Sequence, residues 1–275
     1  MNMKLGFIVS FLFVILCFSV KAQNVGQTEK KDSIINFTDI QGNKQGKWVK
    51  PYKNGVKAYE ATFRNNKLVG EYKRYFMNGK LMAHVKYNST GDKGYAKLYY
   101  DTGTICGEGI YINQNVKDSI WKYYGTDGIL ISEVSYKNGI INGPSKSFFR
   151  NGKVSEVINY KDSIRDGLWR RSYENGNTRM ETMHVKGKRT GLFQLYFESG
   201  RIRTKGKYKN DLPIGKWTFY KEDGSVEKEL EYVSGGLLKN QDEVDEELKK
   251  QLKEWESLKG TIPEPTEEMF QKFFK

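Results

Sequence analysis

Apolar and polar residues alternate along the middle of the chain in short runs that end at glycine, and the same run recurs every 24 residues. Such alternation is typical of half-buried β-strands. A period of this length indicates a repeat protein in which each copy is one supersecondary unit. One column holds glycine in every copy but one, and we call this residue position 0 of its copy: Gly46, Gly70, Gly94, Ser119, Gly143, Gly167, Gly191 and Gly215.

Two further columns define each copy as a β-hairpin. Position +9 is always glycine, and the residue before it is Asn or Asp in six of the eight copies. Asn-Gly and Asp-Gly tolerate the positive φ angles that a type I′ turn needs at both central positions, so we predict a two-residue turn at +8 and +9. Position +17 is aromatic or His throughout: Phe63, Tyr87, Tyr111, Tyr136, Tyr160, His184, Tyr208 and Tyr232.

The predicted turn fixes which residues face each other across the hairpin, and hence the two faces of the sheet. Positions +2 and +15, and +6 and +11, are predicted to pair on a core face together with the +17 aromatics. Cys106, at +12, is predicted on the opposite, outer face beside Ile131 as a packed small residue. Positions +3 and +14 pair opposite charges on that outer face: Lys97 with Glu108, Lys122 with Glu133, and Arg170 with Glu181.

These patterns predict an all-β fold, an elongated single twisted antiparallel sheet of about eight 24-residue β-hairpin repeats, with a C-terminal capping α-helix. Sixteen strands at ~4.8 Å each make a ribbon roughly 75 Å long. A flat open sheet of that width is unusual, so we expect it to twist and curl with its core face concave.

Position +5 is an aromatic column on the charged face, where the core does not need it. Tyrosine supplies amphipathic contact area at a low cost in conformational entropy. We therefore predict that the binding residues of this protein are Tyr75, Tyr99, Tyr124, Phe148, Tyr196 and Tyr220.

The repeated pattern G-x-W-x-x-Y-x-x-N-G-x-x-x-x-E-x-x-Y, carried by residues 46 to about 235, resembles the MORN-repeat variant of bacterial proteins, often described as antitoxin-like. Ala96 and Ser145 replace the +2 aromatic in two copies, and Pro51 stands at +5 of the first. The resemblance implies a binding or scaffolding role, sometimes at membranes, and supplies no catalytic residues.

Four segments follow from the composition of the chain. Residues 1–22 have a short basic start, a long apolar run and small residues before Gln23, which predicts a signal peptide cleaved after Ala22; a retained membrane anchor is the alternative. Residues 23–42 are predicted to be a linker with an incomplete first strand near Phe37, and residues 43–236 the repeat domain. In 237–275 an apolar stripe at helical spacing predicts an amphipathic helix that caps the last hairpin, or else acts as a lid or docks on a partner: Val244, Leu248, Leu252, Trp255 and Leu258.

The sequence offers little catalytic chemistry. With 2 Cys and 2 His in the whole chain, a multi-ligand zinc site and a disulfide scaffold are both excluded. His84 and His184 lie in separate copies, and no nucleophile motif accompanies either of them. We therefore predict no enzyme activity, no cofactor and no metal.

The formal net charge of +13 indicates an acidic partner. Nucleic acid is not expected, because the paired Glu column neutralises much of the field and the chain is predicted to be exported. We expect a non-enzymatic exported scaffold, periplasmic, outer-membrane associated or secreted, that binds a protein or a component of the cell envelope. The alternatives are an antitoxin or immunity protein that neutralises a toxin, and peripheral binding to an anionic membrane.

Overall fold

The structure, a computed structural model, describes residues 34–233 and 235–237. They form one 18-stranded antiparallel sheet, and within these residues there is no helix, so the predicted all-β fold is confirmed. The predicted signal peptide and the helix predicted beyond Leu237 lie outside the described residues. The strands are β1 (Phe37–Thr38), β2 (Lys44–Pro51), β3 (Lys57–Arg64), β4 (Lys67–Tyr75), β5 (Leu81–Tyr87), β6 (Lys93–Tyr99), β7 (Ile105–Ile112), β8 (Val116–Tyr124), β9 (Leu130–Lys137), β10 (Ile140–Phe148), β11 (Val154–Lys161), β12 (Ile164–Ser172), β13 (Thr178–Val185), β14 (Lys188–Tyr196), β15 (Ile202–Lys209), β16 (Leu212–Tyr220), β17 (Val226–Val233) and β18 (Gly236–Leu237).

Each strand pairs with the next one along the chain, so β2 to β17 form eight consecutive hairpins. Position +2 pairs with +15, as in Trp121 with Val134, and +3 pairs with +14, as in Lys122 with Glu133. Trp121 is fully buried. The predicted pairing of these four columns is confirmed, and it places large apolar side chains on one face and the charged pairs on the other.

The predicted two-residue type I′ turn at +8 and +9 is wrong. In the first hairpin the Tyr52 N–H donates to the Val56 carbonyl at 2.7 Å, and the Gly55 N–H donates back to the Tyr52 carbonyl at 3.0 Å. Gly55 has φ 82°, whereas Asn54 is not among the residues of positive φ. The loop thus has three residues, a type I turn followed by a left-handed glycine.

The Asn or Asp at +8 has a different role from the predicted one. Its side-chain oxygen accepts the backbone N–H two residues later, at 2.9 Å from Asn151 Oδ1 to Lys153 N and at 2.8 Å from Asp223 Oδ1 to Ser225 N. This Asx-type bond stabilises the loop without a positive φ at +8.

The longer loop moves column +11 off the core face. A β-bulge follows position +4, so that +5 rather than +6 lies opposite +11, as in Tyr75 opposite Leu81 and Tyr124 opposite Leu130. The bulge also turns position +12 toward the core. Cys106 is 5% exposed and packs in the buried cluster, so its predicted place on the outer face is wrong.

Position 0 is glycine in most copies because it lies in a second bulge, where adjacent hairpins join; the third copy differs, since β5 and β6 pair without a shift and Gly94 has no positive φ. Between the pairs Ala61–Tyr72 and Phe63–Leu68, β3 has one residue and β4 has three. The middle one, Gly70, has φ 63°. Ser119 adopts φ 61° at the equivalent place, a conformation that costs a residue with a Cβ about 1–2 kcal/mol.

Ser119→Gly is therefore expected to raise the free energy of unfolding by about 0.5–1 kcal/mol, since the relief of strain exceeds the added entropy of the unfolded chain. Urea denaturation measures the change. Ser145→Gly is the matched control, because Ser145 lies in a strand without a positive φ and should lose stability. An unchanged or reduced stability of Ser119→Gly would contradict the assignment of the bulge.

The buried side chains form two clusters along the core face. One extends from Ala61 to Tyr123, and the other extends from Met180 to Tyr232. Between them the core-face positions +2 and +4 of the fifth copy are Ser145 and Ser147, both only half-buried. The apolar face is therefore interrupted near its middle.

Neighbouring copies are also joined through the tyrosines at +6. Their hydroxyls donate to the +5 carbonyl of the next copy, at 2.7 Å from Tyr52 to Tyr75 and at 2.7 Å from Tyr173 to Tyr196. Each bond spans from one hairpin to the next, which holds the copies in a fixed register.

Candidate functional site

The six aromatic residues predicted to bind a partner lie at the last residue of the first strand of six hairpins, and all six are half-buried. We call them the aromatic stripe. Each is directly paired across its hairpin with an aliphatic residue: Tyr75 with Leu81, Tyr99 with Ile105, Tyr124 with Leu130, Phe148 with Val154, Tyr196 with Ile202, and Tyr220 with Val226.

The sequence pattern predicts the aromatic +5 column on the charged face, but it puts the aliphatic +11 column on the core face. The structure instead combines the two columns into a row of aromatic–aliphatic pairs on the charged face. The row is interrupted where Pro51 and Ser172 stand at +5 of the first and sixth copies.

Carboxylates of the +14 column hold two of the stripe hydroxyls. Tyr75 Oη donates to Glu60 Oε1 at 2.5 Å, and Tyr124 Oη donates to Glu108 Oε1 at 2.7 Å. Glu108 accepts a second bond at its other oxygen, from Tyr95 Oη at 2.5 Å. Bonds to an ionised carboxylate are among the stronger hydrogen bonds, so these rings are fixed in position before any partner arrives.

The same contacts change the acidity of both groups. Partial burial and the bond to Glu60 raise the pKa of Tyr75 to about 12. The pKa of the Glu60 carboxyl is lowered, chiefly by its hydrogen bond from Lys57 and then by that from Tyr75. Both shifts favour the arrangement in which the phenol donates and the carboxylate accepts.

Because the pKa of Tyr75 is about 12 in the folded chain and its ordinary value is 10.0, the folded state keeps a proton that the unfolded state loses. The contribution of this group to stability is complete below about pH 10 and is lost as the pH rises toward about 12. We expect the free energy of unfolding of Tyr75→Phe to fall less with rising pH over that interval than that of the unmodified chain. Denaturation at a series of alkaline pH values checks this, and identical slopes would contradict it.

Beside the stripe, some basic and acidic side chains form ion pairs. Arg170 Nε lies 2.5 Å from Glu181 Oε1, and Lys216 Nζ lies 2.6 Å from Glu229 Oε2. These contacts are substantially exposed, so each contributes at most about 1 kcal/mol to stability. They nevertheless surround an aromatic row with fixed donors and acceptors.

The residues with catalytic or metal-binding potential are not assembled into a site. His184 is 4% exposed and packs with its ring centroid 5.5 Å from that of Trp169. Burial raises the pKa of Cys106 to about 11, which keeps this thiol protonated. Within residues 34–233 and 235–237 no three His, Cys, Asp or Glu side chains are grouped to hold a metal ion. The part of the chain that the structure describes also has no helix suited to cross a bilayer.

Sequence reasoning missed a polar group on the core face. Glu156, at +13, accepts a hydrogen bond from Trp169 Nε1 at 2.9 Å and lies 3.4 Å from Arg171 Nε. Column +4 holds Leu98 and Leu195 in two copies but Arg74 in another, and column +13 holds Lys228 in the last copy, so the composition of these columns gives little signal.

Comparison with protein families gives five matches, all to the model of the MORN repeat variant. The matched segments are residues 68–89, 117–138, 141–162, 189–210 and 213–234. Each begins near position −2 of a copy and ends just past the +17 residue, so the matches coincide with the hairpin register described above. Among curated proteins no match to this chain was found.

Solved structures share only limited likeness with this chain. A variant of S. aureus TarM, in complex with Fondaparinux, alpha-GlcNAc-glycerol and UDP, is 13% identical over 33% of this chain and 18% of its own, with a TM-score of 0.26. The Photorhabdus luminescens Tc holotoxin pore is 12% identical over 70% of this chain and 11% of its own, with a TM-score of 0.21. TcdB2-TccC3 is 13% identical over 71% of this chain and 12% of its own, with a TM-score of 0.20. The chain thus spans less than a fifth of each, and no functional conclusion is drawn from them.

Proposed function

Because this chain belongs to the MORN-repeat proteins, whose repeats generally bind proteins or membrane lipids, we propose that it is a non-enzymatic scaffold that binds a protein or a component of the cell envelope. The observation that carries the proposal is the aromatic stripe. It is a half-exposed row of aromatic–aliphatic pairs on the face opposite the buried clusters.

The geometry of the stripe suits an extended partner. Successive aromatics are two strands apart, about 10 Å at the usual strand spacing. Tyrosines supply large contact areas with few rotatable bonds, and the hydrogen bonds that they donate to Glu60 and Glu108 reduce that freedom further. A partner that presents a side chain or ring at the same interval would bind several copies at once.

We also propose that the chain is exported, on the basis of the signal-peptide pattern in residues 1–22. Mass spectrometry of the protein recovered from its own cells tests this. A mature chain that begins at Gln23 is expected, and a chain that keeps its apolar start would favour a membrane anchor instead.

The antitoxin and immunity role is a special case of the same proposal, in which the partner is a toxin acting in the cell envelope. Attraction to an anionic membrane is less favoured as the main role, since the bases beside the stripe are matched by the carboxylates of Glu181 and Glu229. Liposome flotation that depends on anionic lipid and falls with salt would favour the membrane.

Site-specific photocrosslinking tests the proposed surface. A benzoylphenylalanine placed at Tyr99 or Tyr196 is expected to capture a discrete partner from the envelope fraction. The same group at Met77, which is 68% exposed in a hairpin loop, is the control and should not capture it.

A triple variant extends the test. Replacement of Tyr75, Tyr99 and Tyr124 by alanine is expected to abolish the capture at Tyr196, because several copies must bind together. Equal capture from Met77, or capture unaffected by the triple variant, would show that the stripe is not the binding surface.

A further inference from the structure

The row of core-face residues at +4 and +13 changes character across four consecutive strands. Ser132, Ser147, Glu156 and Arg171 pair in turn from β9 to β12. On either side the row continues with buried apolar residues, Tyr123 and Met180, as shown by the pairs Tyr123–Ser132 and Arg171–Met180. Together with Ser145 at +2, we call these residues the polar notch: Ser132, Ser145, Ser147, Glu156 and Arg171.

The notch serines are small, and Ser145 and Ser147 are half-buried while Ser132 is 8% exposed. At the position that Ser147 occupies, four other copies have buried residues, Leu98, Tyr123, Leu195 or Phe219, and the first two copies have Lys50 and Arg74. Beside it, the Ser155 Oγ atom is enclosed and has no hydrogen-bond partner among the described residues. An enclosed hydroxyl without a partner is uncommon in folded proteins.

The guanidinium of Arg171 supplies the charge of the notch. Its Nε lies 3.4 Å from Glu156 Oε1, and the side chain is only 20% exposed. Among the described residues no acceptor is bonded to its two terminal nitrogens. An arginine fork of this kind matches the two oxygens of a carboxylate.

The local charge favours an anion that carries a single negative charge. Arg165 stacks on the Trp169 ring at 5.1 Å. Burial lowers the pKa of Arg171, the Glu156 carboxylate raises it, and the charge of Arg179 lowers it. The Glu156 carboxylate, fixed by Trp169 Nε1 at 2.9 Å, would repel a doubly charged phosphate more than a carboxylate.

We propose that the polar notch is a binding site for a carboxylate, carried by an acidic side chain of an extended polypeptide that lies along the core face. Arg171 binds the carboxylate through its terminal nitrogens, and the hydroxyl of the half-buried Ser147 donates to it. The acidic partner agrees with the net charge of +13. The site lies on the face opposite the aromatic stripe, so the two surfaces act independently.

The Trp169 indole N–H is the reporter for the test, since it donates to Glu156 inside the site. In the full-length protein, acetate is expected to shift its NMR resonance in a saturable way, and chloride at equal ionic strength is not. Arg171→Leu should lose the shift and keep its fold, because leucine stands at the same position in other copies. Arg170→Leu, the neighbouring residue on the opposite face, should keep the shift.

Two further variants and one further ligand complete the test. If Arg171→Leu does not fold, Arg171→Gln replaces it, with the same expected loss. Tyr99→Ala should leave the acetate shift unchanged, which separates this site from the aromatic stripe.

An oligomer of glutamate is expected to bind at least tenfold more tightly than acetate. No saturable shift with acetate, or equal loss in Arg170→Leu, would overturn the site, and an oligomer no tighter than acetate would overturn the polypeptide partner.

Discussion

Trp121→Ala is expected to lower the free energy of unfolding by about 3–5 kcal/mol. The side chain is 0% exposed, and its ring centroid lies 4.7 Å from that of Tyr111. Its Nε1 donates to the Ile110 carbonyl at 2.9 Å, so truncation removes a hydrogen bond as well as a large packed volume. Denaturant unfolding followed by circular dichroism measures the loss.

Trp48→Ala is the matched control for that experiment. Trp48 occupies the same position in the first copy, where it is only half-buried, so its loss should be clearly smaller. Equal losses at the two positions would mean that the buried cluster around Trp121 does not hold the copies together.

Gly206→Ala is expected to lower stability by about 2–3 kcal/mol, at the upper end of the usual cost of overpacking. A Cβ at this position would lie 2.1 Å from Trp217 Cδ2 and 2.2 Å from Cε2. The Trp217 ring is 1% exposed and packs between Phe193 and Tyr208, so it has little freedom to move aside.

A double variant separates the clash from a general effect of alanine. With Trp217→Leu present, Gly206→Ala should cost much less, because the group it collides with is gone. Gly236→Ala, whose Cβ would meet its nearest atom at an ordinary 3.6 Å, should be close to neutral. Additive losses in the double variant would contradict the proposed contact.

The architecture could be predicted from the sequence because one pattern is repeated. The pairs Trp121–Val134 and Lys122–Glu133 follow from alternation alone, since a slip by one residue would bury the charges. Because the same alternation recurs in eight copies, it defines the register of strand pairing better than a single hairpin could. The family matches in five copies agree with this reading.

The turn could not be predicted in the same way, because Asn-Gly is compatible with two loops. In a type I′ turn Asn has a positive φ, whereas here Asn151 keeps a negative one and accepts the Lys153 N–H through its side chain. The difference of one loop residue moved the whole +11 column to the other face. It thereby gave the aromatic stripe its aliphatic partners, such as Leu81 and Leu130.

The polar notch escaped prediction for a related reason. Ser147, Glu156 and Arg171 are unremarkable one by one, and their proximity depends on cross-strand pairing in the fifth and sixth copies. Only the register shows that they occupy adjacent places in one row of the core face.

The comparison of two neighbouring tyrosines tests the central claim most directly, namely that one face holds the copies together and the other is left for a partner. Tyr123 is 2% exposed within the buried cluster, while Tyr124 is half-buried in the aromatic stripe. We predict that Tyr123→Ala lowers the free energy of unfolding by about 3 kcal/mol or more, and Tyr124→Ala by only about 1 kcal/mol. Equal losses, or the larger loss at Tyr124, would contradict the account.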